Sequence, residues 1–103
     1  MENRDAEKLL GLLGLARRAG KLAMGISAVE KMVRRGENPV VVTARDMGAS
    51  QRSKVDRWEP LRGIVDDIVT AEELAGALGR DKLAVVAVAD IGFAKGILKI
   101  GQR

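Results

Sequence analysis

Cysteine and histidine are absent from this chain of 103 residues, and the aromatic side chains amount to one Trp and one Phe. Without cysteine there is no disulfide framework, no thiolate chemistry and no sign of an oxidising compartment. Without either residue type the chain lacks the usual general base, the soft metal ligands and the common activated nucleophiles. We therefore expect a protein that is not an enzyme and that uses no metal and no cofactor.

The scarcity of aromatic residues argues against one class of nucleic-acid-binding protein. Single-strand binders of the RRM and OB types stack bases on exposed aromatic rings, which this composition supplies poorly. The longest apolar run, Leu83–Ala89, is far shorter than the ~20 residues that span a bilayer. The charged start, Met1–Lys8, lacks the pattern of a secretory signal. These absences favour a cytoplasmic protein that does not bind membranes.

The residues that are present suffice for one packed core, because 47% of them are apolar and the length is that of a single domain. We expect residues 1–103 to form one domain and the chain to be a monomer. Segments with helical apolar spacing alternate with short β-branched runs. Five helices are predicted: the first at 6–18, the second from a Ser27 cap to Gly36, the third at 51–59, the fourth after a capping box of Thr70 and Glu73, and the fifth at 91–98. Four strands are predicted at 21–24, 39–44, 64–69 and 83–89.

This alternation of five helices and four strands predicts an α/β protein. The expected architecture is a three-layer α/β/α sandwich with a four-stranded mixed, mostly parallel sheet and about five helices. Leu15 is expected to widen the apolar face of the first helix, and Ala77 to lie on that of the fourth. Asp66 and Asp67 suit an edge strand, because charges there discourage pairing with another chain.

The positive charge is concentrated in the first third of the chain. Residues 1–35 hold 8 basic and 4 acidic side chains, whereas residues 36–103 hold 10 of each. Between Leu15 and Arg35 there are 6 basic residues and only Glu30 as an acid. Such a local excess attracts polyanions to one face, although a solvated helix surface is the plainer interpretation of a Lys/Arg run.

The predicted second helix carries part of this charge on one side. Spacings of three and four place Ser27, Lys31, Arg34 and Arg35 opposite the apolar stripe of Ala28, Val29, Met32 and Val33. Gly25, just before the helix, leaves backbone amides unpaired and permits close approach of a ligand. Amides and cations together suit phosphates or guanine edges. An ordinary amphipathic helix has the same spacing, so spacing alone does not decide.

Acidic residues follow two of the predicted strands. Asp46 and Asp90 either cap or turn the chain locally, or act as the acids that α/β enzymes keep at strand ends. The turn 46–50, which contains Gly48, could hold a phosphate at the start of a helix, but we favour Ser50 as a simple cap there. No GxGxxG, Walker or GxSxG motif supports a phosphate-handling enzyme.

Four segments resemble the kink-turn RNA-binding ribosomal proteins of the L-seven-Ae and L-thirty-e group. Gly25–Lys31 with Arg35 resembles the signature G-x-N-x-x-x-K…R, and Val40–Asp46 resembles a strand that ends in an acidic turn. Glu73–Gly79 resembles the LGxxxG helix of the group, and Val85–Asp90 its last strand. The segments Leu12–Lys21 and Asp90–Lys95 look most like the bacterial YlxQ-type branch.

The resemblance implies the ribosomal L-thirty-e-like fold and RNA as the partner, either ribosomal or another structured RNA, with possible ribosome association. In that group the start of the second helix reads the sheared G·A pairs of a kink-turn, and the loop before the last strand packs on a flipped-out nucleotide. The sequence departs from the group at Ser27, where the group has Asn, at Ala28, where an acid or Gln is frequent, and at Ala75, which replaces a Gly. A hydroxyl in place of an amide costs about 1–3 kcal/mol of base discrimination.

The predicted RNA-binding residues therefore lie in the second helix, in the acidic turn and in the loop before the last strand. They are Lys21, Gly25, Ile26, Ser27, Ala28, Lys31, Arg34, Arg35, Asp46, Arg80, Asp81, Lys82 and Leu83. The alternative is a protein-interaction module on the same fold, in which Leu83 and the basic helix bind an acidic protein.

Overall fold

The computed structural model describes residues 4–101, so the first three residues of the charged segment Met1–Lys8 lie outside it. Within that range five helices and four strands alternate as predicted. In chain order they are α1 (Arg4–Arg18), β1 (Leu22–Met24), α2 (Ile26–Arg34), β2 (Val40–Thr43), α3 (Ala49–Asp56), β3 (Gly63–Val65), α4 (Ala71–Leu78), β4 (Val85–Val88) and α5 (Ile91–Gly101).

The strands form one mixed sheet in the order β1-β4-β2-β3. Strand β4 is antiparallel to both of its neighbours, β1 and β2, and β2 pairs with β3 in parallel. The mixed sheet is confirmed. Strands β1, β2 and β3 run in one direction, but two of the three neighbouring pairs are antiparallel, because β4 lies between β1 and β2. Two connections, residues 66–70 before α4 and residues 79–84 after it, reverse the direction of the chain. Strand β4 therefore lies between β1 and β2, antiparallel to both, and is completely buried.

Separate apolar clusters cover the two faces of the sheet. Leu13 of α1, Leu74 of α4 and Ile97 of α5 belong to the cluster on one face, and Val29 of α2 and Val55 of α3 to the cluster on the other. Alternate residues of β2 and β4 contribute to opposite clusters, as the period of a strand requires. The three-layer α/β/α arrangement is therefore confirmed, with α1, α4 and α5 in one helical layer and α2 and α3 in the other.

Local signals in the sequence account for several helix ends. Thr70 Oγ1 accepts the Glu73 amide at 3.1 Å, and Glu73 Oε1 accepts the Thr70 amide at 2.9 Å, which is the predicted capping box. Helix α2 ends just before Gly36, whose φ of 77° is favourable only for a residue without a Cβ.

Two predictions about individual residues and one about the extent of a strand are wrong. Leu15 is 52% exposed beside the groove between α1 and α5 and does not extend the buried face. Ala75, not Ala77, completes the buried side of α4. The strand predicted at 64–69 ends at Val65, because the chain turns at Asp67, which has a φ of 66°. Strand β3 does form an edge of the sheet, but the two acids follow it.

Across residues 4–101, none of the helices has the length and apolar character that a bilayer crossing requires.

Candidate functional site

The start of α2 has a backbone conformation that only glycine adopts readily. Gly25 has φ 91° and ψ 162°, and it donates its amide to the Val85 carbonyl at 2.9 Å while its own carbonyl accepts the Val29 amide at 3.0 Å. The helix therefore begins at Ile26, and the prediction that Ser27 caps it is wrong. No side chain among residues 4–101 caps this end, which leaves backbone donors at the first turn.

Gly25 and Ile26, at this helix start, line a concave surface of about 420 Å³ that we call the amide depression. Its walls come from the starts of α2, α3 and α4 and from the loop before β4, which are distant in sequence. The residues that line it are Gly25, Ile26, Asp46, Met47, Gly48, Gln51, Ala71, Arg80, Asp81, Lys82, Leu83, Ala84 and Val85. The structure thus brings together seven of the predicted site residues, from three separate segments.

Two of those seven have structural roles. Leu83 is only 5% exposed and belongs to the apolar core, so its side chain is not available to a ligand. Asp46 Oδ1 accepts the amide of Ala71, the first residue of α4, at 2.8 Å, and the acid therefore caps that helix across 25 residues of sequence. Asp90 likewise accepts the Phe93 amide at 3.2 Å and caps α5. The local cap interpretation is therefore confirmed for Asp90, whereas Asp46 caps a distant helix and not the next one.

The start of α3 also reaches the amide depression, although the sequence predicts it only as a separate turn. Helix α3 begins at Ala49 after Gly48, so Ser50 lies inside the helix and does not cap it. As for α2, no side chain in the described part of the chain caps this end. The short glycine-containing turn was the available signal, but nothing local could place it beside Gly25.

The cationic side chains of α2 and its C-terminal end lie on two different sides of the helix. Lys31 and Arg35, four residues apart, lie on the flank toward β1 together with Ala28, where the surface is concave. We call this surface the lysine depression; it is lined by Gly20, Lys21, Leu22, Ala23, Ala28, Lys31, Met32, Arg35, Glu37, Ala89 and Asp90. Arg34 lies on the opposite flank and lines a groove toward α3. Exposed Ser27 lies in the first turn of the helix.

Some of the cationic side chains on these surfaces form ion pairs within the protein, and others do not. Arg35 lies 3.8 Å from Glu37 and Arg34 lies 3.3 Å from Glu30, and both arginines are at least 70% exposed, so each pair contributes little to stability. Lys21 and Lys31 form no ion pair with any described residue. Two cations, Arg80 and Lys82, and two acids, Asp46 and Asp81, line the amide depression, so oriented amides matter there more than net charge.

No three acidic side chains within residues 4–101 gather closely enough to hold a metal ion. The surfaces therefore offer amides, hydroxyl and cationic groups, which are donors for phosphate and base acceptors.

No protein-family model matches the sequence. The RNA-binding protein YlxQ of Bacillus subtilis strain 168, a curated relative, is 30% identical over 90 residues, which are 86% of this chain and 90% of that protein. The chain belongs to the YlxQ family. A solved structure of a protein of unknown function from Bacillus halodurans has a TM-score of 0.79 and 27% identity, and the match covers 93% of this chain and 98% of that one. Family membership confirms the YlxQ-type part of the resemblance, and kink-turn recognition stays a prediction.

Proposed function

We propose that this protein binds structured RNA, without catalysing a reaction, through the amide depression at the start of α2 and the lysine depression along the remainder of that helix. One observation carries the proposal. The uncapped start of α2 after Gly25 and the Arg80–Lys82 loop line the same depression, although Gly25 and Arg80 are 55 residues apart in the chain. Helix starts and unpaired lysines are the groups that hold phosphates in position. The name of the Bacillus subtilis relative supports RNA as the ligand.

Within this proposal, Lys21, Lys31 and Arg35 contact the RNA backbone along the lysine depression. Gly25 and Ile26 permit close approach of the RNA, and Ser27 donates its hydroxyl to a base edge. Arg80 and Lys82 hold a nucleotide that leaves the helical stack, while Leu83 supports the loop from the core. We further propose that the RNA contains a kink-turn or a similarly bent internal loop, that it is ribosomal or otherwise part of the translation apparatus, and that the protein acts in the cytoplasm as a monomer.

A titration with paired RNAs tests the proposal. We expect a kink-turn RNA to bind about tenfold more tightly than the same RNA with its G·A pairs replaced by Watson–Crick pairs, since tenfold is about 1.4 kcal/mol, near the low end for one base contact. Ser27→Asn should increase this preference by about tenfold, because an amide makes two hydrogen bonds to a base where a hydroxyl makes one. Fluorescence anisotropy of labelled RNA measures both values.

Ser53→Asn is the matched control, because Ser53 is an exposed serine of α3 outside the two depressions. Equal affinity for the two RNAs, unchanged by Ser27→Asn, would contradict kink-turn recognition. Absence of binding to either RNA would contradict RNA binding at this surface. Sedimentation of cell extract with and without ribonuclease tests the ribosomal part, since the protein should leave the ribosomal fractions after digestion.

The alternative of a protein-interaction module relied on Leu83 as an exposed apolar contact. Because Leu83 is packed in the core, the structure offers no specific observation in its favour.

A further inference from the structure

A third concave surface flanks α2, on the side away from the lysine depression. Helices α2 and α3 form its walls, and we call it the tryptophan groove; its cations are Arg34, Lys54 and Arg57, and Trp58 and Pro60 also line it. Arg34 was predicted to lie with Lys31 in one site, but the helix places the two cations on different flanks. The tryptophan groove is therefore separate from the surfaces to which we assign the RNA above.

The cations of this groove are mostly unpaired. Lys54 and Arg57 are exposed and three residues apart in helical conformation, so they share one side of the chain. Neither forms an ion pair with a described residue. Of the two acids that line the groove, Glu30 is engaged by Arg34 at 3.3 Å, and Glu59 remains. The arrangement leaves two adjacent cations for a polyanion.

Trp58 supplies the second property of the groove. It follows α3 directly, its amide donates to the Val55 carbonyl at 3.1 Å, and part of its indole packs against the cluster between the sheet and α2 and α3. The side chain is only partly buried and its remaining surface lines the groove. An indole held by the core beside unpaired cations is the combination on which single-stranded nucleic acids stack a base while the cations hold the phosphates.

We propose that the tryptophan groove binds a single-stranded segment of the same RNA, with phosphates on Lys54 and Arg57 and a base against Trp58. The proposal rests on the proposed function, because α2 is the common wall of the groove and of the lysine depression. An RNA whose folded part lies at the start of α2 would reach the groove by passing over the exposed side of this helix. Arg34, on the groove side of α2, contacts the RNA during that passage.

Intrinsic fluorescence tests the proposal, since Trp58 is the only Trp and the chain has no Tyr. The probes are a kink-turn RNA alone and the same RNA with a single-stranded extension of about eight nucleotides at its 5′ or its 3′ end, within the range that one binding groove holds. We expect at least one extended RNA to quench Trp58 and to bind about tenfold more tightly than the RNA without an extension, as one stacked base would provide.

The double variant Lys54→Glu/Arg57→Glu should lose this gain while it binds the unextended RNA as the native protein does. Lys95→Glu/Lys99→Glu, two exposed lysines of α5 in the other helical layer, is the control with the same change in net charge and should keep the gain. Circular dichroism checks the folding of both variants. If neither extension alters affinity or fluorescence, or if the Lys54/Arg57 variant weakens both kinds of RNA equally, the groove is not a separate RNA contact.

The two proposals fail in different ways. If the native protein binds the extended and the unextended RNA with the same affinity, only the proposal for the tryptophan groove is overturned. Binding of extended RNA without any binding of the unextended RNA supports the groove and contradicts the proposed kink-turn surface. Absence of binding to all these RNAs overturns both.

Discussion

At the scale of single residues, Gly25 determines where α2 begins. Its φ of 91° with ψ of 162° falls in a region that is almost restricted to glycine, and a Cβ added there would contact nothing within 4 Å. Any cost of a side chain at this position is therefore conformational and not steric. This residue also holds the helix start against β4 through its hydrogen bond to Val85.

We predict that Gly25→Ala lowers the free energy of unfolding by about 1–3 kcal/mol, the usual cost of a non-glycine residue in such a region. Urea denaturation monitored by circular dichroism measures the change. Gly11→Ala is the matched control, because Gly11 is inside α1, has open space at its Cβ, and should gain up to about 1 kcal/mol from helix propensity. Equal effects of the two substitutions would show that the backbone conformation of Gly25 carries no cost.

The structural roles of Leu83 and Asp46 cannot be predicted from their residue types alone. Both lie in segments that the family resemblance assigns to RNA, and both are at the amide depression. One side chain nevertheless packs in the core and the other caps α4 from a different part of the chain. Burial and long-range capping depend on which elements meet, so a position in a motif did not predict them.

At the scale of elements, one carboxylate fastens α3 to the ends of two strands. Asp66, just after β3, accepts the hydroxyl of Thr43 at 3.0 Å and the guanidinium of Arg52 at 3.0 and 3.2 Å. Arg52 also donates to the Ala44 carbonyl at 3.1 Å. Thr43 is completely buried, so its hydroxyl depends on this acceptor. The network holds in place the helix whose start and end contribute to the amide depression and the tryptophan groove.

We predict that Asp66→Ala lowers the free energy of unfolding by about 1–3 kcal/mol, because it leaves the buried Thr43 hydroxyl without its partner. Asp66→Asn should cost less than about 1 kcal/mol, since an amide oxygen still accepts that hydroxyl and only a partly exposed ion pair is lost. Asp56→Ala, at an exposed acid of α3, should change stability by no more than about 0.5 kcal/mol. Equal changes in the free energy of unfolding for Asp66→Ala and Asp56→Ala would show that the network does not stabilise the fold.

The sequence located the elements better than their ends. Capping and glycine signals placed the start of α4 and the end of α2 because they act within a few residues. Strand β3 ends at Val65 because the chain turns at Asp67 and because Asp66 is engaged by Thr43 and Arg52 of other elements. Helix α3 starts early, at Ala49, after Gly48, whose carbonyl accepts the amide of Arg52 in the same helix. Periodicity continues past such turns, and for this reason it predicted a longer strand and a later helix.

At the scale of the whole molecule, the sheet separates two helical layers with different surfaces. The layer of α2 and α3 carries both the lysine depression and the tryptophan groove, whereas the layer of α1, α4 and α5 presents a mostly apolar groove that Leu12, Leu15 and Ile100 line. The net charge of +4 is small for the molecule as a whole. For the proposed binding of RNA, the position of the cations therefore matters more than the total charge.

We predict that Lys31→Glu weakens RNA binding and reduces the slope of log affinity against log salt concentration by about 1, the effect of one lost phosphate contact. Lys99→Glu should change neither quantity. The two lysines are matched, because each is exposed in the last turn of its helix and each substitution takes the net charge from +4 to +2. Titrations at several salt concentrations measure both. A similar loss in the two variants would mean that net charge alone attracts the RNA.

The sequence by itself determined the α/β alternation, the apolar stripes, the capping box of α4 and the cationic segment that contains Lys31. Each of these follows from neighbours within one or two helical turns, where periodicity and capping act. Tertiary structure alone decided that β4 runs antiparallel between β1 and β2, that the starts of α2, α3 and α4 meet in one depression, and that α2 sends Lys31 and Arg34 to different surfaces. These depend on long-range burial and strand pairing, in which many arrangements satisfy the same local pattern and packing selects one.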